Sequence, residues 1–288
     1  MFTGSIVAMV TPFKDGAVDY DKLGELVDYH VENGTNAIIP CGTTGESPTL
    51  SHTEHREVIG KVIETANGRI PVIAGTGSNN TSEAISLTRH AKEAGADGSL
   101  LITPYYNKPT QQGLYDHYKA ILEEVDIPII IYNVPSRTGV SISPETVARL
   151  SEFDNIVAIK EATGDIDQAS QILTLCDITV LSGDDSLTLP IMSIGGKGVV
   201  SVLANILPRE VSELTASIAK GDIKNSQKLH RSLFPLCKAM FIETNPIPVK
   251  TAMKLLGRLN GEMRLPLSKM SDKHEEQLKK VLNNHGLA

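Results

Sequence analysis

The chain has no cysteine pair close enough in sequence to form a C-x-x-C motif. Its three cysteines, Cys41, Cys176 and Cys237, are odd in number and far apart, which argues against a disulfide framework or a zinc site and leaves them as small hydrophobes for the core. Missing too is any apolar run near the roughly 20 residues that a membrane span needs. Met1–Ser5 carries no basic segment ahead of the brief apolar stretch Ile6–Val10, so the layout of a signal peptide is absent. There is no long charge run, no low-complexity stretch and no basic excess. With 27 Lys and Arg against 34 Asp and Glu, the formal charge of −7 offers no footprint for nucleic acid or an anionic membrane surface. Hydrophobic residues at 41% and charged residues at 21% are the balance of an ordinary globular chain. A cytoplasmic protein that acts on small molecules is the expectation.

Short apolar runs alternate with amphipathic stretches. The runs are Ser5–Val10, Ala37–Pro40, Pro71–Ala74, Gly98–Ile102, Pro128–Tyr132, Ile156–Lys160, Ile178–Ser182 and Gly198–Ser201. They recur about every 20–35 residues, the scale of a βα unit. Between them lie helical patterns at Tyr20–Val31, Thr53–Thr65, Thr81–Ala94, Gly113–Glu124 and Pro144–Ser151. Runs so rich in Ile, Val, Leu and Ala fit parallel strands covered on both faces. Eight alternations predict a closed (β/α)8 TIM barrel, with an open doubly wound sheet as the competitor. After Pro208 the pattern turns helical, at Arg209–Ala219, Asn225–Phe241, Pro248–Leu256 and Asp272–Asn284. The division predicted is a catalytic barrel over residues 1–221 and a C-terminal helical appendage over 222–288.

In such a barrel the active site gathers at the C-terminal ends of the strands, and the unusual residues of this chain fall there. Lys160 ends the sixth run. An amine held in apolar surroundings can present a neutral nitrogen, which suits it to imine chemistry with a carbonyl substrate. Alternatively it could snorkel to water or pair with Glu161. The second run leads into Gly42-Thr-Thr-Gly-Glu46, whose converging N–H groups and hydroxyls could hold a small carboxylate. Without a following Gly-Lys-Ser/Thr it is not a phosphate-binding loop. Tyr132 ends the fifth run, and beside an imine-forming lysine it is a candidate proton shuttle. Arg137 follows a proline-pinned turn and offers a planar fork for a carboxylate.

Taken in order, GTTGE at 42–46, TPYYN at 103–107, YNVPSRTG at 132–139, IKEATGD at 159–165, SGDD at 182–185 and NPIPVK at 245–250 closely resemble the dihydrodipicolinate synthase family of the pyruvate-dependent class I aldolase superfamily. The likeness spans essentially the whole chain. It implies that Lys160 forms an imine with pyruvate, that Thr44 and the region around Val202 hold pyruvate, and that Gly183 lies at the pocket wall. Tyr132, Thr43 and Tyr106 correspond to the family's proton relay, with Tyr106 reaching into a neighbouring subunit's site. Arg137 corresponds to the residue that binds the carboxylate of L-aspartate 4-semialdehyde. The assembly implied is a homotetramer, a dimer of dimers, and the chemistry calls for neither cofactor nor metal. Within the superfamily the rival is a sugar-acid aldolase, such as an N-acetylneuraminate or 2-keto-3-deoxygluconate lyase. Arg137 favours the synthase, because sugar hydroxyls are better met by neutral groups. An inactive lysine-sensing homologue is a second rival, though the whole catalytic set is present.

Ser51-His-Thr-Glu54 has the pattern of a capping box at a helix start, with His52 and His55 about one turn apart. Their spacing is not that of a zinc protease motif. In feedback-inhibited members of the family, the positions matching Ser47, His52, His55, Asn79, Glu83 and Tyr105 form an allosteric site for L-lysine. Pro48 departs from the residue common there.

Overall fold

The structure is a computed structural model and describes residues 2–287. Eight parallel strands form its centre: β1 Gly4–Ala8, β2 Ala37–Ile39, β3 Ile73–Gly75, β4 Gly98–Ile102, β5 Ile129–Asn133, β6 Ile156–Glu161, β7 Thr179–Ser182 and β8 Gly198–Ser201. Hydrogen bonding orders them β2-β1-β8-β7-β6-β5-β4-β3. A parallel bridge between Ile38 and Val72 joins the two remaining edges and closes the barrel. Closure leaves no exposed strand edge, and it decides between the barrel and the open sheet.

Each strand leads to a helix on the outside: α1 Tyr20–Glu32, α2 His52–Ala66, α3 Thr81–Ala94, α4 Gln111–Glu124, α5 Pro144–Leu150, α6 Ile166–Leu175, α7 Thr188–Ser193 and α8 Pro208–Ala219. Three more, α9 Ile223–Ala239, α10 Ile247–Leu255 and α11 Asp272–Asn284, complete the chain. The strands bury both faces. One set of side chains, including Ile6, Ile39, Ile73, Leu100, Ile130, Ala158, Leu181 and Val200, fills the barrel interior. The alternate set packs outward beneath the helices. Leu233, Leu236 and Leu278 of the C-terminal helices share a cluster with Val7 and Val199 of the barrel. The appendage therefore has no separate core, and each such buried side chain contributes about 1.5–3 kcal/mol. Among the described residues no helix is long and apolar enough to cross a membrane.

The β5–β6 pairing decides where the key side chains point. Ile129 faces Ile156, but Ile130 faces Ala158, so one residue of β6 is skipped. From there Tyr132 pairs with Lys160. Because side chains alternate along a strand, an unbroken register would have set Tyr132 against Ile159. The bulge thus puts Lys160 and Tyr132 on the same inward face, as bulges beside active sites often re-aim a side chain.

Candidate active site

Lys160 lies inside the barrel mouth and is 6% exposed. Its Nζ stands 3.9 Å from the centre of the Tyr132 ring. Among the described residues no carboxylate lies within ion-pairing distance of this amine. Glu161 points to the other side of the strand. Its carboxylate accepts from Thr163 N–H at 2.7 Å and Asn133 Nδ2 at 3.1 Å, and burial raises its pKa. Neither snorkelling nor pairing with Glu161 accounts for Lys160.

A cavity of about 160 Å3 opens above the amine, lined by Lys160, Tyr132, Thr43, Thr44, Arg137, Gly183 and Val202 among others. Residues 116 positions or more apart in the chain, Thr43 and Thr44 at one end and Lys160, Gly183 and Val202 at the other, meet here because strand ends converge on one mouth. Thr44 is buried, and its hydroxyl accepts from Asn245 Nδ2 at 3.0 Å. The hydroxyl's own proton remains free to donate. Arg137 sits in the short helical turn Pro135–Thr138 directly after β5. One Nη2 donates to the Asn245 carbonyl at 3.3 Å, leaving other donors of the fork for a ligand. Gly183 has a steric reason to be glycine: a Cβ there would lie 2.4 Å from Ala162 Cβ. Val202 contributes its side chain only, since its N–H donates to Asp185 Oδ2 at 2.9 Å.

Beside this cavity lies a larger one of about 460 Å3, lined by Ser47, His52, His55, Glu83 and Tyr105. The two share Thr43, Tyr132 and Arg137 as common walls. His52 Nε2 meets Glu83 Oε1 at 3.1 Å, and Ser78 donates its hydroxyl to the other carboxylate oxygen. His55 is buried, its pKa pushed down to about 4 chiefly by that burial, and neither ring nitrogen completes a hydrogen bond of sound geometry. It is a neutral wall of the cavity at neutral pH. The capping box is present in full, with Ser51 and Glu54 bonded both ways.

Two residues named from the sequence lie apart. Asn79 is not in the lining, and its carbonyl accepts from Asn107 Nδ2 at 2.9 Å. Tyr106 is 90% exposed, with φ of 71°, and lines neither cavity.

Sequence reasoning assigned no role to several supports of the site. Asp185, fully enclosed, accepts from the Ser201 hydroxyl and from Val202 and Leu203 N–H, and burial raises its pKa. It shapes the turn after β8. Lys250 of α10 meets Glu46 at 2.5 Å, with both side chains buried, and also donates to the Thr11 carbonyl at 2.9 Å. Burial lowers the Lys250 pKa and Glu46 opposes that shift. This pair fastens the end of the GTTGE loop to the C-terminal helices. Arg264 adds a second tie, from its Nη2 to Glu54 at 2.6 Å, and holds the Glu54 carboxyl down at about 2. Asn245 and Asp184 also line the smaller cavity. The signals were the NPIPVK and SGDD segments, but a single sequence does not tell which loop each one meets.

A closed barrel with a buried lysine at its C-terminal mouth that forms no ion pair among the described residues fits the class I aldolase type of lyase. Residues 1–285 match the model of the Dihydrodipicolinate synthetase family, and the chain belongs to that family. It is 59% identical to a 4-hydroxy-tetrahydrodipicolinate synthase of Geobacter sp. (strain M21), with all of both chains covered. A structure of the chloride-inhibited dihydrodipicolinate synthase from Acinetobacter baumannii, complexed with pyruvate, superposes with a TM-score of 0.98 at 48% identity over the whole of both chains. A lysine-bound structure of the enzyme from Cyanidioschyzon merolae gives 0.97 at 42% identity, covering 100% of this chain and 99% of the other.

Proposed function

We propose that this chain condenses pyruvate with L-aspartate 4-semialdehyde to 4-hydroxy-tetrahydrodipicolinate, in lysine and diaminopimelate biosynthesis in the cytoplasm. The observation that carries the reading is the buried Lys160 amine, which lines its cavity and has no carboxylate partner among the described residues. Its Nζ adds to the C2 carbonyl of pyruvate, water leaves, and a protonated imine results. That nitrogen is an electron sink, so a methyl proton departs and an enamine forms. The enamine carbon bonds to the aldehyde carbon, whose oxygen takes up a proton. The second substrate's amine then attacks the imine carbon, the bond to Lys160 breaks, and the ring closes as Lys160 leaves as a free amine. No metal or cofactor enters any step.

Thr44 and the amides of its loop hold the pyruvate carboxylate, while Gly183 and Val202 form the wall. Tyr132, Thr43 and Tyr106 carry protons, with Tyr106 supplied by a neighbouring subunit in a tetramer built as a dimer of dimers. The 90% exposure of Tyr106 supports that sharing, because within its own chain it lines neither of the two cavities. Arg137 takes the carboxylate of the semialdehyde. Barrier lowering then comes from positioning and prearranged hydrogen bonds.

The larger cavity is our proposed site for L-lysine as an inhibitor. Glu83 and Ser47 supply acceptors for its ammonium groups, and Tyr105 supplies a donor for its carboxylate. The lysine-bound relative from Cyanidioschyzon merolae supports this reading. The walls shared through Thr43 and Tyr132 give effector binding a direct route to the relay. Incubation with pyruvate plus either aspartate semialdehyde or sugar-derived aldehydes tests the substrate. Turnover with the semialdehyde alone supports the reading, and turnover only with the sugar-derived aldehydes overturns it.

A further inference from the structure

Among the described residues, two buried lysines lie over an aromatic ring, and only one of them has an anion beside it. Lys250 Nζ is 4.4 Å from the centre of the Phe13 ring, and it is also tied to Glu46 at 2.5 Å and to the Thr11 carbonyl at 2.9 Å. Lys160 Nζ lies closer to its ring, 3.9 Å from the centre of Tyr132, and has no ion pair among the described residues. The sheet builds this contact, because the register shift between β5 and β6 sets Tyr132 opposite Lys160. Both side chains are buried. The face of an aromatic ring carries partial negative charge and attracts a cation, most strongly where water is excluded.

This step rests on the reading of Lys160 as the residue that forms an imine with pyruvate. Turnover needs that imine protonated, because only the cationic nitrogen draws electrons from the methyl carbon. An imine is a weaker base than an amine, and burial works against its charged form. The other charged groups do little to help. Arg137 lines the same cavity and opposes a cation, while Asp184 favours one from beyond ion-pairing distance. Glu161 is turned away, its carboxylate taken by Thr163 N–H and Asn133 Nδ2. The pyruvate carboxylate is engaged by the Thr44 loop. We infer that the face of the Tyr132 ring holds the Lys160 imine in its protonated form, a role separate from the proton transfer assigned to the hydroxyl. A carboxylate in the ring's place would stabilise the charge more strongly, but it would also lock the resting amine in an ion pair, as Glu46 does for Lys250. The ring accepts no such bond, so Nζ stays free to turn to the C2 carbonyl. No atom passes to or from the ring. It favours the protonated imine and does nothing for the neutral enamine that follows.

The test starts from Tyr132→Phe, which keeps the ring face and removes the hydroxyl. Progressively fluorinated phenylalanines at position 132 then drain the face of negative charge with little change of shape. Cyanoborohydride reduces a protonated imine and spares a neutral one. Applied with saturating pyruvate across a range of pH, it gives a rate of adduct formation at Lys160 that falls once the imine loses its proton. Weaker stabilisation of the cation means that the proton leaves at lower pH. With Tyr132→Phe as the reference, the fall is expected to move to lower pH with each step of fluorination, by about 1 pH unit in all, the scale of a desolvated cation–π contact. Comparison within the fluorinated series cancels the contributions of the hydroxyl and of the pyruvate carboxylate. A fall that stays at one pH throughout the series, or one that moves only in Asp184→Asn, would overturn the inference. A wild-type enzyme that gives no pyruvate-dependent adduct at Lys160 would instead sink the imine reading on which it rests.

Discussion

Asn245 and Thr44 stand 201 residues apart in the chain and meet through one buried hydrogen bond, Nδ2 to Oγ1 at 3.0 Å. The bond occupies one lone pair of the Thr44 hydroxyl and leaves its proton to donate elsewhere, and the Asn245 backbone carbonyl also receives Arg137. The start of the C-terminal region thus orients both groups proposed to hold substrate carboxylates. Asn245→Ala removes the bond to Thr44 and keeps the backbone carbonyl that meets Arg137, so it is expected to lower kcat/KM for pyruvate by about 10-fold and to change that for the semialdehyde less, since a buried hydrogen bond is worth about 1–3 kcal/mol. Steady-state kinetics with each substrate varied in turn checks it, and a wild-type value for pyruvate would contradict it.

The ion pair between Glu46 and Lys250 is buried at both ends. Removing one partner strands the other's charge in the interior. Lys250→Met should therefore cost about 3–5 kcal/mol of stability, with much of it restored in the double variant Glu46→Gln/Lys250→Met. Denaturant unfolding of the three proteins measures this. A single variant within about 1 kcal/mol of wild type would refute the role assigned to the pair.

Much of the barrel was legible because its eight strands are short apolar runs at a regular spacing. Boundaries slipped where local chemistry intervened. The first run was read as Ser5–Val10, but the strand stops at Ala8, and Val10 N–H turns aside to Asn205 Oδ1 at 3.1 Å. Helices α6 and α7 were not read from the pattern. The first is only 10 residues and the second only 6, so neither gives a long periodic signal. Arg209–Ala219 and Asp272–Asn284 were legible to within a residue because their polar and apolar faces alternate cleanly. In the site, Lys160 and Tyr132 could be read from strand ends. Their contact could not, because it depends on the β5–β6 bulge. The Glu46–Lys250 pair joins positions 204 residues apart and leaves no local trace.

Glu83 is the anionic end of the larger cavity and is bridged by His52. Glu83→Ala should weaken L-lysine binding by roughly 10- to 100-fold while leaving imine formation intact. Titration calorimetry with millimolar lysine checks it. If binding is coupled, pyruvate and lysine must change each other's affinity by one factor. No heat and no inhibition in the unmutated protein would end the proposal.

Subunit sharing can be tested by mixing two inactive variants, Tyr106→Phe and Lys160→Ala. In a twofold dimer each mixed pair contains one site with both native residues. A one-to-one mixture should therefore recover up to about a quarter of wild-type activity. No recovery after verified subunit exchange would contradict the placement of Tyr106 in a neighbour's site.

The central claim is that Lys160 carries the reaction. Reduction with borohydride in the presence of labelled pyruvate, followed by peptide mapping, tests it most directly. The account predicts one reduced adduct, on Lys160, and none in Lys160→Ala. Labelling of Lys250 or another lysine, or no pyruvate-dependent label at all, would contradict it.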